Sequence, residues 1–334
     1  MTIREIAALS GVSAASVSLV INNRKGVSDE TRRKVMAVIQ ENGYSAAPKK
    51  RREPNARLMV IKFHTHGATE ENQGFIASII DQIESECRRH SFQLVMARCQ
   101  ADNAVEMLNR LMGDPPDGVI LMGTELNPEH YPLLDLITVP TVVVDNNLHY
   151  GGLDSVVMDN EAIAATAVDY LYSLGHRDIG YLQFDLPIHN CQERYRGYAE
   201  RMRELNLPVP EPFPIATTLN ATYEAMKVIL REGRFQPHAA FIADNDSVAI
   251  GACKALIEAG YRIPEDFSIV GVDDIPFSAV STPALTTLRI SRSTLGSLAV
   301  KLLRMRMKNP SWPAMHVQID GQLIERQSCS AARP

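Results

Sequence analysis

Three apolar runs in this sequence end on carboxylates. "TVVVD" ends in Asp145, "AFIADND" runs into Asp244, Asn245 and Asp246, and "SIVGVDD" ends in Asp273 and Asp274. A fourth stretch, "NCQERYRGY", starts at Asn190 and opens a helix with Arg194. Carboxylates and amides accept and donate hydrogen bonds in pairs, which suits the vicinal hydroxyls of a sugar or the edge of a base. Phe75, near the exit of the first apolar run, can stack on the apolar face of a ring. Each of these residues also has a plainer use. Aspartates at strand ends cap helices and form turns, Arg194 can join a surface ion pair, and Phe75 can belong to the core.

The elements that would carry these residues alternate in type. "RLMVIKF" reads as a buried strand and "FIASIIDQIESECRRH" as an amphipathic helix, and "FQLVMARC", "GVILMG" and "TVVVD" repeat the strand theme with helical segments between them. The pattern then restarts with "SVVMD", a helix through "EAIAATAVDYLYSLG", "IGYLQF", a helix over 193–205, "HAAFIAD", a helix over 248–260, and "FSIVGVDD". Alternating strands and helices imply parallel sheets, and two such runs imply two doubly wound lobes. In open parallel sheets ligands bind beyond the carboxyl ends of the strands. The aspartates of the three apolar runs sit at those ends.

The first 45 residues follow a different plan. Thr2 and Glu5 have the spacing of a capping box, and Ile3, Ile6, Ala7 and Leu9 form an apolar stripe. Gly11 suits a tight turn, Ser13 the next N-cap, and Val17, Val20 and Ile21 the inner face of a second helix. Ser28 caps a third helix, with Val35, Val38 and Ile39 inward and Gly43 closing it. Two short helices joined by a glycine turn and braced by a third make a helix-turn-helix. In that unit the second helix enters the DNA major groove by its N-terminal end. The hydroxyls of Ser13, Ser16 and Ser18 then face phosphates or base edges, while Ala14 and Ala15 permit close approach and meet thymine methyls. The expected DNA-facing set is Thr2, Ser13, Ala14, Ala15, Ser16, Ser18, Leu19 and Asn22, joined by Lys49, Lys50, Arg51 and Arg52 from the following segment. A three-helix bundle with solvated serines is the plain alternative.

Charge supports a DNA-binding head. The 334-residue chain carries a net charge of −5, yet residues 1–57 hold eleven Lys/Arg against five Asp/Glu, a net of +6. A small basic head on an acidic body points to a polyanion partner for the head alone. The five cysteines are scattered without metal-ligand spacing and read as reduced thiols. Charges interrupt the first ten residues, and no run approaches the roughly 18 apolar residues of a membrane span. A cytoplasmic protein is expected. No G-x-S-x-G, P-loop, H-E-x-x-H or paired-cysteine motif is present, so neither an enzyme nor a cofactor is expected. "HTH" at residues 64–66 offers two histidines at strand spacing without a third ligand, so no metal site is expected.

These features converge on a resemblance. "TIREIAALSGVSAASVSLVINN" and "VSDETRRKVMAVIQENGY" resemble the headpiece of the lactose-repressor (LacI/GalR) family of bacterial transcriptional regulators. "SLGHRDIGYL", "ERYRGY", "FIADNDSVAIGACKAL", "GYRIPEDFSIVGVDDIPFS" and "TPALTTLRIS" resemble successive segments of that family's periplasmic-binding-protein-like effector domain. The resemblance implies a helix-turn-helix head over 1–45, a basic linker over 46–57 and a two-lobed α/β body with parallel sheets over 58–334. It places Arg194, Asn245, Asp273, Asn190 and Asp145 on effector-contacting positions, and Phe75 joins the expected set from its own place near the exit of the first strand.

The implied function is a homodimeric repressor governed by a small polar effector, a sugar or a related metabolite. A solute-binding protein with a vestigial head is the alternative. Several positions depart from the family pattern. Leu19 stands where arginine is usual, and "SAAPKKRREPNAR" lacks the leucine of the usual hinge helix and reads as an extended basic arm. "FHTHGATEENQGF" is longer than the usual loop, and Ile163 and Ile290 replace glycine and glutamine near the expected cleft.

Overall fold

Ile6, Ala7, Val17, Val20 and Val35 pack together as the centre of the head, with Val12, Val27, Val38 and Ile39 around them. The computed structural model describes residues 3–21, 26–41, 56–71, 74–148 and 152–333. It divides into two units, Met1–Arg52 and Glu53–Pro334. In the first, helices α1 (Ile3–Ser10), α2 (Ala14–Ile21) and α3 (Asp29–Glu41) pack on one another. Gly11, at φ 67°, ends α1, and the Val12 N–H returns to the Ala7 carbonyl at 3.1 Å. That bond closes the helix in the manner of a Schellman motif. Ser13 caps α2 by accepting from the Ser16 N–H at 3.1 Å, and Ser28 caps α3 by accepting from Thr31 N–H at 3.2 Å. Leu9 departs from the expected stripe. It is 61% exposed, because the face set by Ile6 and Ala7 already fills the small core.

The second unit holds two six-stranded sheets. Its elements run β1 (Arg57–His64), α4 (Phe75–Arg89), β2 (Gln93–Gln100), α5 (Ala104–Gly113), β3 (Gly118–Met122), β4 (Thr141–Val144), β5 (Asp154–Met158), α6 (Asn160–Ser173), β6 (Ile179–Phe184) and α7 (His189–Glu204). They continue with β7 (Phe213–Ile215), α8 (Leu219–Arg231), β8 (Ala240–Ala243), α9 (Asp246–Glu258), β9 (Ser268–Asp273), α10 (Pro276–Val280), β10 (Thr286–Arg289), α11 (Arg292–Lys308), β11 (His316–Ile319) and β12 (Gln322–Ile324). The sheet orders are β11-β5-β4-β3-β1-β2 and β12-β10-β9-β8-β6-β7. The described pairings are parallel except β10 with β12. Strands β3, β4, β5, β8 and β9 are buried along their whole length, as parallel strands covered by helices on both faces must be.

The structure departs from the sequence expectations at several points. "SVVMD" does not restart the pattern: β5 pairs with β4 in the first sheet, and the second sheet begins at β6. The chain therefore passes between the lobes three times, after β5, after β10, and between β11 and β12. The linker expected to reach residue 57 stops short of it, because Ala56 is fully buried and Arg57 opens β1. Ile163 and Ile290, expected near the cleft, are not among the residues that line the cavity. Both are buried in the core beside Gly321 at the third crossing, where an added Cβ would lie 2.8 Å from Ile163 Cγ1 and 3.5 Å from Ile290 Cδ1. Helix α7 also starts at His189, four residues before the expected Glu193.

Candidate functional site: a closed cleft between two sheets

Two of the strand-end carboxylates, Asp145 and Asp273, line one cavity. Its empty volume is about 460 Å³. The first lobe contributes Ala68 and Thr69 from the loop after β1, Phe75 and Ile76 from the start of α4, Thr124 after β3 and Asp145 after β4. Met158 closes the floor at the end of β5. The second lobe contributes Phe184, Ile188, Asn190, Cys191, Arg194, Thr217, Asn245 and Asp273. Phe75, Asp145, Asn190, Arg194, Asn245 and Asp273, the six residues expected from the sequence, all lie on this wall. Sequence reading missed Thr69, Thr124, Met158, Phe184, Ile188 and Thr217, which are ordinary residues at strand ends and helix starts.

Backbone geometry aims the carboxylates. Asp145 sits at φ 63°, Asp273 at φ 112° and Asp274 at φ 51°. Such conformations cost a residue with a side chain about 1–3 kcal/mol and cluster at binding sites. Aspartate tolerates them better than most residues because its short side chain can hydrogen-bond locally. Asp274 is held from outside the cavity: Arg289 Nε and Arg326 Nη2 each donate to its carboxylate at 2.6 Å. Burial opposes its charge, but those two arginines hold its carboxyl below the usual range. Asp246, at the first turn of α9, accepts from Ser278 Oγ and Thr287 Oγ1 at 2.5 Å and from the Ile275 N–H at 3.0 Å. The segment carrying Asp273 is thereby fixed on both sides. Asn245 uses its Oδ1 to cap α9, accepting from the Val248 N–H at 3.0 Å. Asp244 is neither a cap nor a turn former. It is fully buried and accepts from Tyr181 Oη at 2.7 Å and the Phe184 N–H at 2.6 Å.

Arg194 is buried in the same wall. Its Nη1 donates to Asn160 Oδ1 at 3.0 Å, its Nη2 lies 3.2 Å from Cys191 Sγ, and its Nε lies 4.0 Å from Asp244 Oδ1. Burial works against its charge, yet the acidic groups around it, Asp244 and Asp273 among them, keep the guanidinium protonated. Burial pushes the Asp145 carboxyl up to about 6, helped by the charge of Asp273 and opposed by hydrogen bonds from Thr124 and Asn190. Cys191 is likewise pushed well above the ordinary thiol range, mainly by burial, so it is no thiolate nucleophile.

The roof of the cavity depends on a residue with no sequence signal. The loop after β1 is gathered around Glu125, whose Oε2 accepts from the N–H groups of Thr65 at 2.7 Å and of His66 and Gly67 at 2.9 Å. Its Oε1 accepts from the Thr69 N–H at 3.1 Å and from Thr69 Oγ1 at 2.6 Å. Burial opposes the Glu125 charge, but these donors take its carboxyl down to about 2. No group of three or more metal-ligating side chains occurs among the described residues. His66 Nδ1 instead accepts from the Ala68 N–H at 3.2 Å.

In the head, Ser13 and Ala14 are exposed and Ser16 and Leu19 half-exposed. Ser13 Oγ, besides capping α2, lies 2.9 Å from Ser16 Oγ. Leu19 leans toward Gly26, its Cδ1 3.5 Å from where a Cβ would stand. The backbone at Ala15 and Ser18 continues α2. Thr2, Asn22, Lys49, Lys50, Arg51 and Arg52 lie outside the described residues, as does Gly43.

Comparison with known proteins joins the two units. Residues 2–46 match the family model for bacterial regulatory proteins of the lacI family, and residues 168–329 match that for a periplasmic binding protein-like domain. The HTH-type transcriptional repressor PurR of Pasteurella multocida (strain Pm70) is 32% identical, over 98% of this chain and 98% of that protein. A LacI family transcriptional regulator from Enterococcus faecalis V583 with bound ribose is 26% identical, with a TM-score of 0.69 over 83% of this chain and 100% of that one. The lac repressor dimer bound to operator, 22% identical, shares the fold with a TM-score of 0.73 over 99% of each chain. No described helix is long and apolar enough to cross a membrane. Because the similarity to a repressor runs from end to end and takes in both the head and the cleft, this chain belongs to the lacI family of bacterial regulatory proteins and is a ligand-responsive, DNA-binding transcriptional regulator.

Proposed function

We propose that this chain is a homodimeric repressor whose hold on operator DNA is set by a sugar or related small polar metabolite bound between the two sheets. The observation that carries this reading is the convergence of six polar and aromatic residues from separate stretches of sequence on one cavity shared by both lobes. Phe75 supplies an apolar face, while Asp145, Asn190, Arg194, Asn245 and Asp273 supply hydrogen bonds. A ligand held from both sides stabilises the closed arrangement of the lobes. It changes DNA affinity to the extent that it prefers that arrangement over the open one. A related regulator whose structure holds ribose supports a sugar in this place. Nothing in this scheme requires a catalytic step.

The head reads base edges with Ala14, Ala15 and Ser16, and the arm at Lys49–Arg52 neutralises phosphates. The partner subunit is a second copy of the chain. Val280 at 75% exposure, Phe277 at 49% and Ile257 at 38% leave apolar surface beside a groove of about 770 Å³ lined by Ile250, Thr282 and Pro283. The related lac repressor is described as a dimer on its operator. A two-fold dimer sets two heads on the halves of a near-palindromic site.

The test is a mobility shift with the full-length protein on DNA upstream of its own gene, with and without a panel of sugars, beside sedimentation of the same sample. A dimer that binds this DNA and responds to one sugar is expected. A body lacking residues 1–52 that still retards the DNA would sink the assignment of the head.

A further inference from the structure

The second helix of the head carries no side chain able to grip a base edge at two points. Residues 12–21 read VSAASVSLVI, without a charged or amide side chain, and α2 lies within them. Arginine or lysine on guanine and asparagine or glutamine on adenine are the bidentate contacts that tell bases apart by hydrogen bonding. None of them is available from α2. Asn22 and Asn23 come after its C-terminal end, whereas the N-terminal end of such a helix meets the bases.

The hydroxyls do not make up for this. Ser13 Oγ accepts from the Ser16 N–H at 3.1 Å and lies 2.9 Å from Ser16 Oγ, so the two hydroxyls are paired with each other. A serine hydroxyl also donates or accepts as its surroundings require, and its contact with a base edge discriminates little. What remains on the outside of α2 is hydrocarbon. Ala14 on the first turn is exposed and Leu19 on the second is half-exposed, while Val17 and Val20 are taken up by the core of the head. Leu19 rests beside Gly26, where an added Cβ would stand 3.5 Å from its Cδ1. The apolar feature that a base pair offers in the major groove is the C5 methyl group of thymine.

We propose that the head selects its operator through thymine methyl groups, with Ala14 and Leu19 as the side chains that contact them. Specificity then depends on where thymines stand in each half of the site. Uracil keeps the hydrogen-bonding edge of thymine and lacks only the methyl, so exchanging one for the other removes the contact and nothing else. Burying one methyl is worth about a factor of four in affinity, and one such contact in each half-site makes the loss at least about 15-fold.

The experiment selects a binding duplex from a randomised pool with the full-length protein and resynthesises it with uracil in place of thymine. Fluorescence anisotropy compares the two forms beside an unselected duplex treated in the same way. The selected duplex should weaken at least about 15-fold on exchange, while the unselected one stays unchanged. The ratio of thymine to uracil affinity should shrink in Ala14→Gly and in Leu19→Ala. Because the ratio is taken within one variant, any loss of head stability cancels. Equal affinity for both forms, in a protein that still prefers the selected duplex, overturns the proposal and leaves the DNA-binding head standing. A ratio unchanged in both variants overturns the assignment to Ala14 and Leu19. A pool in which nothing is enriched removes the reading of the head on which the proposal rests, and the proposal with it.

Discussion

Asn190 Nδ2 donates to Asp145 Oδ1 at 2.9 Å and to the Asp145 carbonyl at 3.1 Å, joining the end of β4 in one lobe to the first turn of α7 in the other. Both residues are buried and both line the cavity, so this pairing belongs to the closed cleft. Asn160 adds to the junction by donating to Asn190 Oδ1 at 3.2 Å. Replacing Asn190 with alanine should weaken effector binding by about 1–3 kcal/mol, since it leaves buried acceptors unmet. Operator affinity without effector should persist. Calorimetry that finds effector affinity unchanged would place lobe closure elsewhere.

Asp145 gives effector binding a pH dependence. Its carboxyl, pushed up to about 6 by burial and by the charge of Asp273, binds a proton near pH 6 and has lost it by pH 8. Hydroxyl donors favour the ionised form, so the bound ligand lowers this value and releases a proton. Affinity should therefore rise from pH 5 to pH 7 and then level off. The sign for stability is the reverse. The unfolded carboxyl ionises near 3.8, so the native state holds the extra proton between about pH 4 and 6, and the contribution of Asp145 to stability falls as pH rises through that window. Calorimetry in buffers of different ionisation heat reads the proton release directly, and Asp145→Asn should abolish it.

Arg306 and Asp154 form a two-pronged buried pair between α11 and β5, with Nε to Oδ2 at 2.8 Å and Nη2 to Oδ1 at 2.7 Å. Asp154 also accepts from the Met315 N–H at 2.8 Å, which seats the approach to β11. Removing one partner strands the other charge, so Arg306→Ala should lower unfolding stability by about 3–5 kcal/mol. Arg306→Lys should recover part of that but cannot reproduce the paired geometry. Urea unfolding of the full-length protein measures both. A loss under about 1 kcal/mol for Arg306→Ala would mean that the carboxylate finds water instead.

The head and its basic arm should separate by salt. Changing Lys49–Arg52 to glutamine should lower affinity for operator and random DNA alike. It should also flatten the salt dependence by about 0.9 units of slope for each phosphate that is no longer neutralised. Ala14 is exposed, so Ala14→Leu should leave the fold intact and lose operator preference selectively. Fluorescence anisotropy across a salt series distinguishes the two. Selective loss of operator preference from the arm variant would mean that the arm reads groove shape.

Element type was legible from the sequence, whereas element partnership was not. Asp145 and Asp273 stood out because a run of apolar residues ended on a charge, and both occupy strand ends at positive φ. The same pattern assigned β5 to the wrong lobe, because alternation specifies a strand without specifying its neighbour, and that neighbour is chosen by long-range pairing. Glu125 illustrates the same limit at the level of a side chain. Its role is set by N–H groups about sixty residues away in sequence, in a loop whose shape exists only once β1 and β3 are paired. Ile163 and Ile290, which the resemblance put near the cleft, are buried in the core, where both pack beside Gly321.

The three passages between the sheets also constrain how such a protein can change by exchange of parts. Neither lobe is a continuous block of sequence, since β5 and β11 of the first sheet are separated by most of the second, and β12 returns to the second after β11. A recombination event that swapped one lobe for a relative's would need three junctions placed in register, and any single junction within the body leaves at least one of the two sheets a hybrid. The head is joined at one place, near residue 53. One junction near residue 53 can thus pass on a different head with the body unchanged, whereas no single junction exchanges one lobe and leaves the other intact.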